Sequence, residues 1–318
     1  MSRLKFYQDH TVERLRKDSV RGASLYQKGV GFVIIPGAGE KFRYMNSSQI
    51  RIVESQGSEL SDRTQKIIDA RTPNPARNDP IPFLGYWARN RGEVTLDLFM
   101  GDYKQWRGTL PLGDEFDREL IKRDMRTPFT ITTIPVTKDG FIIAPKRTRV
   151  RASHADVLCF LNGYRLDRDK AENTEICHAE IINDGTGYEL EKQSRGCVAH
   201  QLNIPEETVL NSRLMGLSVS EPAVADYGYS ALCLARLDLD KNEVVDAANE
   251  IYGDNTHARY VKISVDKSVF PFDAKSLVDL ANEAPEKMAM TQIPLIWMAL
   301  VIEFGEEHLK DIRDLTRN

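Results

Sequence analysis

Residues 293–304 (IPLIWMALVIEF) are apolar around the whole circumference of a helix and carry one charge, Glu303. A bilayer span takes about 18 uninterrupted apolar residues, so this run is too short to cross a membrane. A helix that is hydrophobic all round belongs inside a folded core, and the fold must therefore supply partners on every side of it. The chain has the means, with 318 residues of which 41% are hydrophobic and 28% charged. That is ordinary globular composition, which excludes disorder, collagen and coiled coil as whole-chain descriptions. The length suits two domains or one elaborated domain.

The partners are legible as strands and amphipathic helices. Residues 129–136 (FTITTIPV) are β-branched and lead through Thr137-Lys138-Asp139-Gly140 into 141–144, so the Asp-Gly pair predicts a tight hairpin. Further strands are predicted at 30–36, 49–54, 93–100, 174–182, 209–219, 227–237 and 259–265. Helices are predicted at 10–17, 114–126, 189–202, 242–252, 274–280 and 288–309. Four prolines between 71 and 82 (RTPNPARNDPIP) predict an irregular loop. The glycines at 29, 31, 37 and 39 bracket a strand, whereas a dinucleotide fingerprint follows a strand and opens a helix, so they read as turns. Trp87 and Trp106 are large enough to stack a base, and equally suited to a core. The texture changes near residue 127, which places an N-terminal α/β domain at 1–127 and a second domain at 128–318 in an α+β fold.

Charge divides the chain similarly. Residues 1–150 carry 26 Lys/Arg against 18 Asp/Glu, a net +8 (26 − 18), and residues 151–318 carry 17 against 29, a net −12 (17 − 29). Two oppositely charged halves can dock on each other, and a basic half can attract phosphates. No Lys/Arg run is interleaved with aromatics, so direct nucleic-acid binding is not expected. The start of the chain has no apolar stretch of signal-peptide type. The four cysteines (159, 177, 197, 233) have no paired metal-ligand spacing. They read as reduced thiols of a soluble, cytoplasmic protein without a membrane partner.

After Pro128 the order is strand, Asp-Gly turn, strand, the basic exit Lys146-Arg147-x-Arg149-x-Arg151, a loop with Gly163, strand, a Gly-bearing loop (184–187), helix and strand. This order resembles the Nudix hydrolase fold, a mixed β-sheet sandwiched by helices. The signature helix of an active member reads Arg-Glu, an apolar residue, any residue, Glu-Glu, any residue, Gly and an apolar residue. The matching stretch here is Gly196-Cys197-Val198-Ala199-His200-Gln201-Leu202-Asn203-Ile204, and Leu214-Met215-Gly216-Leu217 resembles the short strand that follows. Residues 94–109 (VTLDLFMGDYKQWRGT) resemble a segment that precedes the domain in some larger members. The likeness covers residues 90–300 and is clearest at 129–217.

The resemblance implies hydrolysis of nucleoside diphosphate linkages, with Mg²⁺ held by carboxylates on one helix face. The matching positions here carry Cys197, His200 and Gln201, with no carboxylate at any of the three. Val198 and Leu202 keep the apolar side, and Asn203 can take the left-handed C-cap conformation in place of Gly. The expectation is a Nudix-homology protein with a degenerate metal site and no cofactor. It would bind a nucleotide-like or phosphorylated ligand or a protein partner, itself included, through Lys146, Arg147, Cys197, His200 and Gln201. One alternative is an active hydrolase with Mg²⁺ moved to Glu189 and Glu191, which open the same helix; another is a structural scaffold subunit. A soft ion on Cys197 and His200, helped by His178 beside Cys177, is a further possibility of residue type. Helical periodicity predicts Leu190, Val198 and Leu202 packed inward, with Cys197, His200 and Gln201 facing a cleft.

Overall fold

A computed structural model describes residues 24–27, 31–34, 42–54, 56–57, 59–73, 80–90, 93–109, 124, 126, 128–146, 160–162, 188–220, 229–252, 263–288 and 293–317. The expected helices at 10–17 and 114–126 and the strand at 174–182 lie outside these residues, apart from Asp124 and Arg126.

The fold is mixed α+β with two sheets. The strands are β1 (Ser24–Gln27), β2 (Gly31–Ile34), β3 (Ile50–Glu54), β4 (Pro80–Asn90), β5 (Glu93–Asp102), β6 (Phe129–Val136), β7 (Phe141–Ile143), β8 (Leu161–Asn162), β9 (Val209–Ser220), β10 (Tyr229–Leu237), β11 (Val269–Pro271) and β12 (Leu315–Arg317). The helices are α1 (Asp62–Arg71), α2 (Tyr103–Thr109), α3 (Tyr188–Leu202), α4 (Lys241–Tyr252), α5 (Val265–Ser268), α6 (Ala274–Lys287) and α7 (Ile293–Phe304). The large sheet runs β11-β7-β6-β10-β9-β2-β1-β12, with β8 also on β6, and the small sheet runs β3-β5-β4. Parallel pairing of β6 with β10, and of β3 with β5, makes both sheets mixed.

The apolar helix α7 finds its cover here. Every residue from Ile293 to Val301 is buried, Trp297 completely. One continuous core joins α7 to Ile134, Leu232 and Leu234 of the large sheet and to Ile52, Leu96 and Leu98 of the small one. On the opposite face of the large sheet, α3 and α4 pack through Val198, Leu202, Val244 and Ala248 on Ala235 and Leu237. Alternation along β10 thus assigns even positions to α7 and odd positions to α3. Helices cover both faces. The expected boundary near 127 does not divide the sheets cleanly, because β1 and β2 come from the N-terminal part and are hydrogen-bonded into the large sheet against β12 and β9.

The hairpin forms as expected. Thr137 N–H donates to Phe141 O at 2.8 Å, and Gly140 takes the left-handed φ of 79° that its turn requires. Its tip is clamped to α4. Asp139 Oδ1 accepts from Lys241 N at 3.0 Å, while Asp240 and Glu243 close a reciprocal capping box on the same helix end.

Three expectations are corrected. Pro80-Ile81-Pro82 belongs to β4 and not to a loop, and the strand continues through Asn90. A strand tolerates Pro only where its missing N–H faces away from a partner. β4 is an edge strand, and two prolines two residues apart point their nitrogens to the same side of it. The helix expected over 288–309 is shorter, since Gly305 at φ 111° ends α7 and a 3-10 turn (Glu306–Asp311) follows. Residue 265, expected in a strand, opens the short helix α5.

Glu303, the one charge on α7, lies where the helix leaves the core. Its carboxylate accepts from the Tyr44 hydroxyl and from the Arg236 guanidinium of β10. Arg213 of β9 stacks over the Tyr44 ring at 3.9 Å, and Arg236 over Phe272 at 4.9 Å. Burial and the Glu303 carboxylate together push the Tyr44 phenol above its ordinary pKa. Glu303→Ala removes the acceptor for both donors and should lower unfolding stability by about 2 kcal/mol in urea melts, the scale of an unmade charged hydrogen bond.

Candidate functional site

The helix that carries the expected site, α3, ends as its sequence dictates. Asn203 sits at φ 55°, with its N–H on His200 O and Ile204 N–H on Ala199 O, the paired bonds of a Schellman close. Its side-chain amide donates to Ala247 O at 3.0 Å and ties the helix end to α4. Leu190, Val198 and Leu202 are fully buried, as the helical period predicts.

The facing of Cys197 and Gln201 is corrected. Cys197 is completely buried and Gln201 is 6% exposed. Gln201 Nε2 donates to Cys197 Sγ at 2.7 Å. The buried stripe of α3 is wide, taking in Leu190, Gln193, Ser194, Cys197, Val198, Gln201 and Leu202. A helix packed on a sheet and on a second helix buries two adjoining faces, so positions counted as cleft-facing turn inward. His200 alone of the three is half-buried.

A chain of hydroxyls fastens α3 to the sheet. Ser194 Oγ lies 2.7 Å from Thr133 Oγ1 of β6 and 2.6 Å from Ser212 Oγ of β9. Cys233 of β10 also meets Ser194 and Ser212, and burial pushes its thiol up to about 12. Each hydroxyl both donates and accepts, so the buried polar groups satisfy one another. This chain escapes a reading by hydrophobic period; its signal is that Ser194 and Gln193 fall on the stripe defined by Leu190 and Val198.

Glu191 is engaged with the backbone. β9 carries a bulge at Met215, since Leu232 faces Gly216 while Cys233 faces Leu214. There the Leu214 N–H donates to Glu191 Oε1 at 3.1 Å. Burial raises the Glu191 pKa, against the opposing pull of that N–H and of the Arg213 charge. Glu189 lies in the first turn of α3. Lys146 is half-buried just past the hairpin, while Arg147, Cys177 and His178 lie outside the described residues.

These donors do not fit Mg²⁺. A hard cation takes oxygen ligands, and the signature face offers a buried thiol, an imidazole and an amide spent on that thiol. Among the described residues no group of three or more His, Cys, Asp or Glu side chains could hold a metal ion. Among them, too, no helix is long and apolar enough to cross a membrane. No protein-family profile matches the chain, and no curated protein matches it.

Two outcomes follow from this geometry. In the native protein Cys197 and Cys233 should resist alkylation by iodoacetamide and become labelled only in denaturant, as read by peptide mass spectrometry, because burial withholds the reactive thiolate. For Glu191, a folded pKa above the ordinary 4.5 means the native state binds more protons than the unfolded chain between those two values. Its contribution to stability therefore falls as pH rises through that window. Glu191→Gln keeps an acceptor for Leu214 N–H and should flatten that slope in melts taken across acid pH, whereas a steeper slope would contradict the assignment.

Proposed function

We propose that this chain is a Nudix-homology protein with a degenerate metal site, acting in the cytoplasm, which binds a nucleotide-like or phosphorylated ligand without hydrolysing it. The observation that carries the reading is the helix face at Cys197 and Gln201. Positions that resemble those of metal-binding carboxylates hold a thiol and an amide, both buried and bonded to each other. The order of hairpin, sandwiched helix, left-handed Asn203 and bulged strand supports the homology. Fold likeness alone does not assign chemistry, which belongs to the site.

With no metal to offset a phosphate, side-chain cations carry the attraction. Lys146 and Arg147 at the strand exit are the groups proposed for it, with His200 as the half-buried polar group on α3. Arginine gives a two-pronged contact to phosphate oxygens. The alternative of an active hydrolase with displaced ligands loses ground, because Glu191 is occupied by the Leu214 N–H and burial raises its pKa. A scaffold or protein-binding role is the second reading, favoured by the same burial, since the face of α3 that would open on a cleft is packed shut.

Titration calorimetry with ADP and with inorganic pyrophosphate, each with and without Mg²⁺, separates these readings. The expected result is Mg²⁺-independent binding, weakened about 10- to 100-fold by Arg147→Ala or Lys146→Ala, and no phosphate release from ADP-ribose. Mg²⁺-dependent release abolished by Glu191→Gln would restore the hydrolase. No binding of either anion would leave the scaffold.

A further inference from the structure

We propose that the hairpin tip, Asp139-Gly140, is a latent site of self-modification to isoaspartate, which the contacts of the tip with α4 and β11 suppress in the folded protein. The chemistry needs neither enzyme nor cofactor. The Gly140 nitrogen attacks the side-chain carbonyl carbon of Asp139 and a C–N bond forms. The carboxyl hydroxyl leaves as water, taking the amide proton with it. Water then opens the five-membered succinimide at the former main-chain carbonyl. The product has the mass of the parent, with its backbone routed through the Asp139 side chain and one carbon longer.

The pair is armed by sequence and by exposure. Glycine places no Cβ beside the attacking nitrogen, so Asp-Gly is the pair most open to this ring closure. Asp139 and Gly140 are both exposed to the water that the second step consumes. Among the described residues, no packed neighbour comes within 4 Å of a Cβ placed on Gly140, so no side chain shields the tip.

What holds the reaction off is a set of bonds on both reacting groups. The carboxylate is engaged on each oxygen. Asp139 Oδ1 accepts from Thr137 Oγ1 at 2.7 Å and from Lys241 N at 3.0 Å, and Oδ2 lies 3.4 Å from Lys241 Nζ. Burial works to raise the Asp139 pKa, yet the bonds from Thr137 and Lys241 outweigh it and hold the carboxyl below its ordinary range. An ionised carboxylate has no hydroxyl to release and is a poor electrophile. The attacking nitrogen is fixed as well. Gly140 N–H donates to Thr137 O at 3.0 Å, and its carbonyl accepts from Phe272 N–H at 2.9 Å.

These anchors are themselves held. Thr137 is buried, and its Oγ1 accepts from Phe141 N–H at 3.0 Å. Lys241 Nζ stands 3.5 Å from the centre of the Phe141 ring, which places the ammonium beside the carboxylate. Lys138 N–H donates to Leu239 O at 2.9 Å, so the turn is pinned on both sides of Asp139. An added backbone carbon would lengthen a turn whose ends are already fixed, and isomerisation would therefore detach the tip from α4 or from β11.

Peptide-resolved mass spectrometry with electron-transfer fragmentation tests it, since that method separates isoaspartate from aspartate at equal mass. The full chain is incubated at neutral pH, either native or unfolded in guanidinium chloride. Asp184-Gly185, another such pair, falls in a different peptide and is counted separately. Isoaspartate at 139 should accumulate at least about tenfold more slowly in the native chain than in the unfolded one, because reaction then waits on local opening. Lys241→Met removes the ammonium and Thr137→Val the hydroxyl, and each should raise the native rate several-fold with the fold retained by circular dichroism. If one variant fails to fold, the other decides. A native rate equal to the unfolded rate, or no rise in a folded variant of either residue, overturns the proposal.

Discussion

The molecule is organised around a helix with no polar side. Because α7 is apolar at nearly every position, each direction away from its axis must meet protein, and one face of one sheet is not enough. Its core therefore draws on the large sheet, on the small sheet and on α6, and the N-terminal strands β1 and β2 extend the sheet beneath it. The only charge on the helix appears at the point of exit, where Glu303 meets donors from two separate segments. Burial sets the position of α7, and the carboxylate sets where burial stops.

The same economy governs α3 on the far face. Cys197 and Gln201 are buried, and an ionised carboxylate at either place would have to leave water without a compensating cation. Thiol and amide remove that cost and hydrogen-bond to one another. The absence of acids at these two positions and the closed packing of the face thus have one physical cause. Glu191 keeps its charge-bearing group only by serving a backbone N–H at the β9 bulge, and burial still raises its pKa.

Local rules carried far where a single residue type decides geometry. The Asp139-Gly140 turn, the left-handed Asn203 and the alternation of β5 were all legible because each follows from backbone sterics or from one period. β4 was hidden, because Pro80 and Pro82 argue against a strand unless its edge position is known, and edge position is a property of the sheet. Gly305 was read through as helix because the helix-forming Glu306 and Glu307 and the apolar Leu309 after it continue the pattern, and the break shows only in its φ of 111°. The facing of Cys197 and Gln201 failed for a related reason: a period locates one buried face, while a helix between a sheet and another helix has two.

Several buried polar groups of this fold are matched to one another. Ser194, Thr133 and Ser212 satisfy one another, and Asp124 accepts from Ser61 and Thr64 at the start of α1. Glu303 is doubly bonded, and Asp139 serves a turn and a helix end at once. Such matching costs side-chain entropy at every position, so it persists where an unpaired group would cost more.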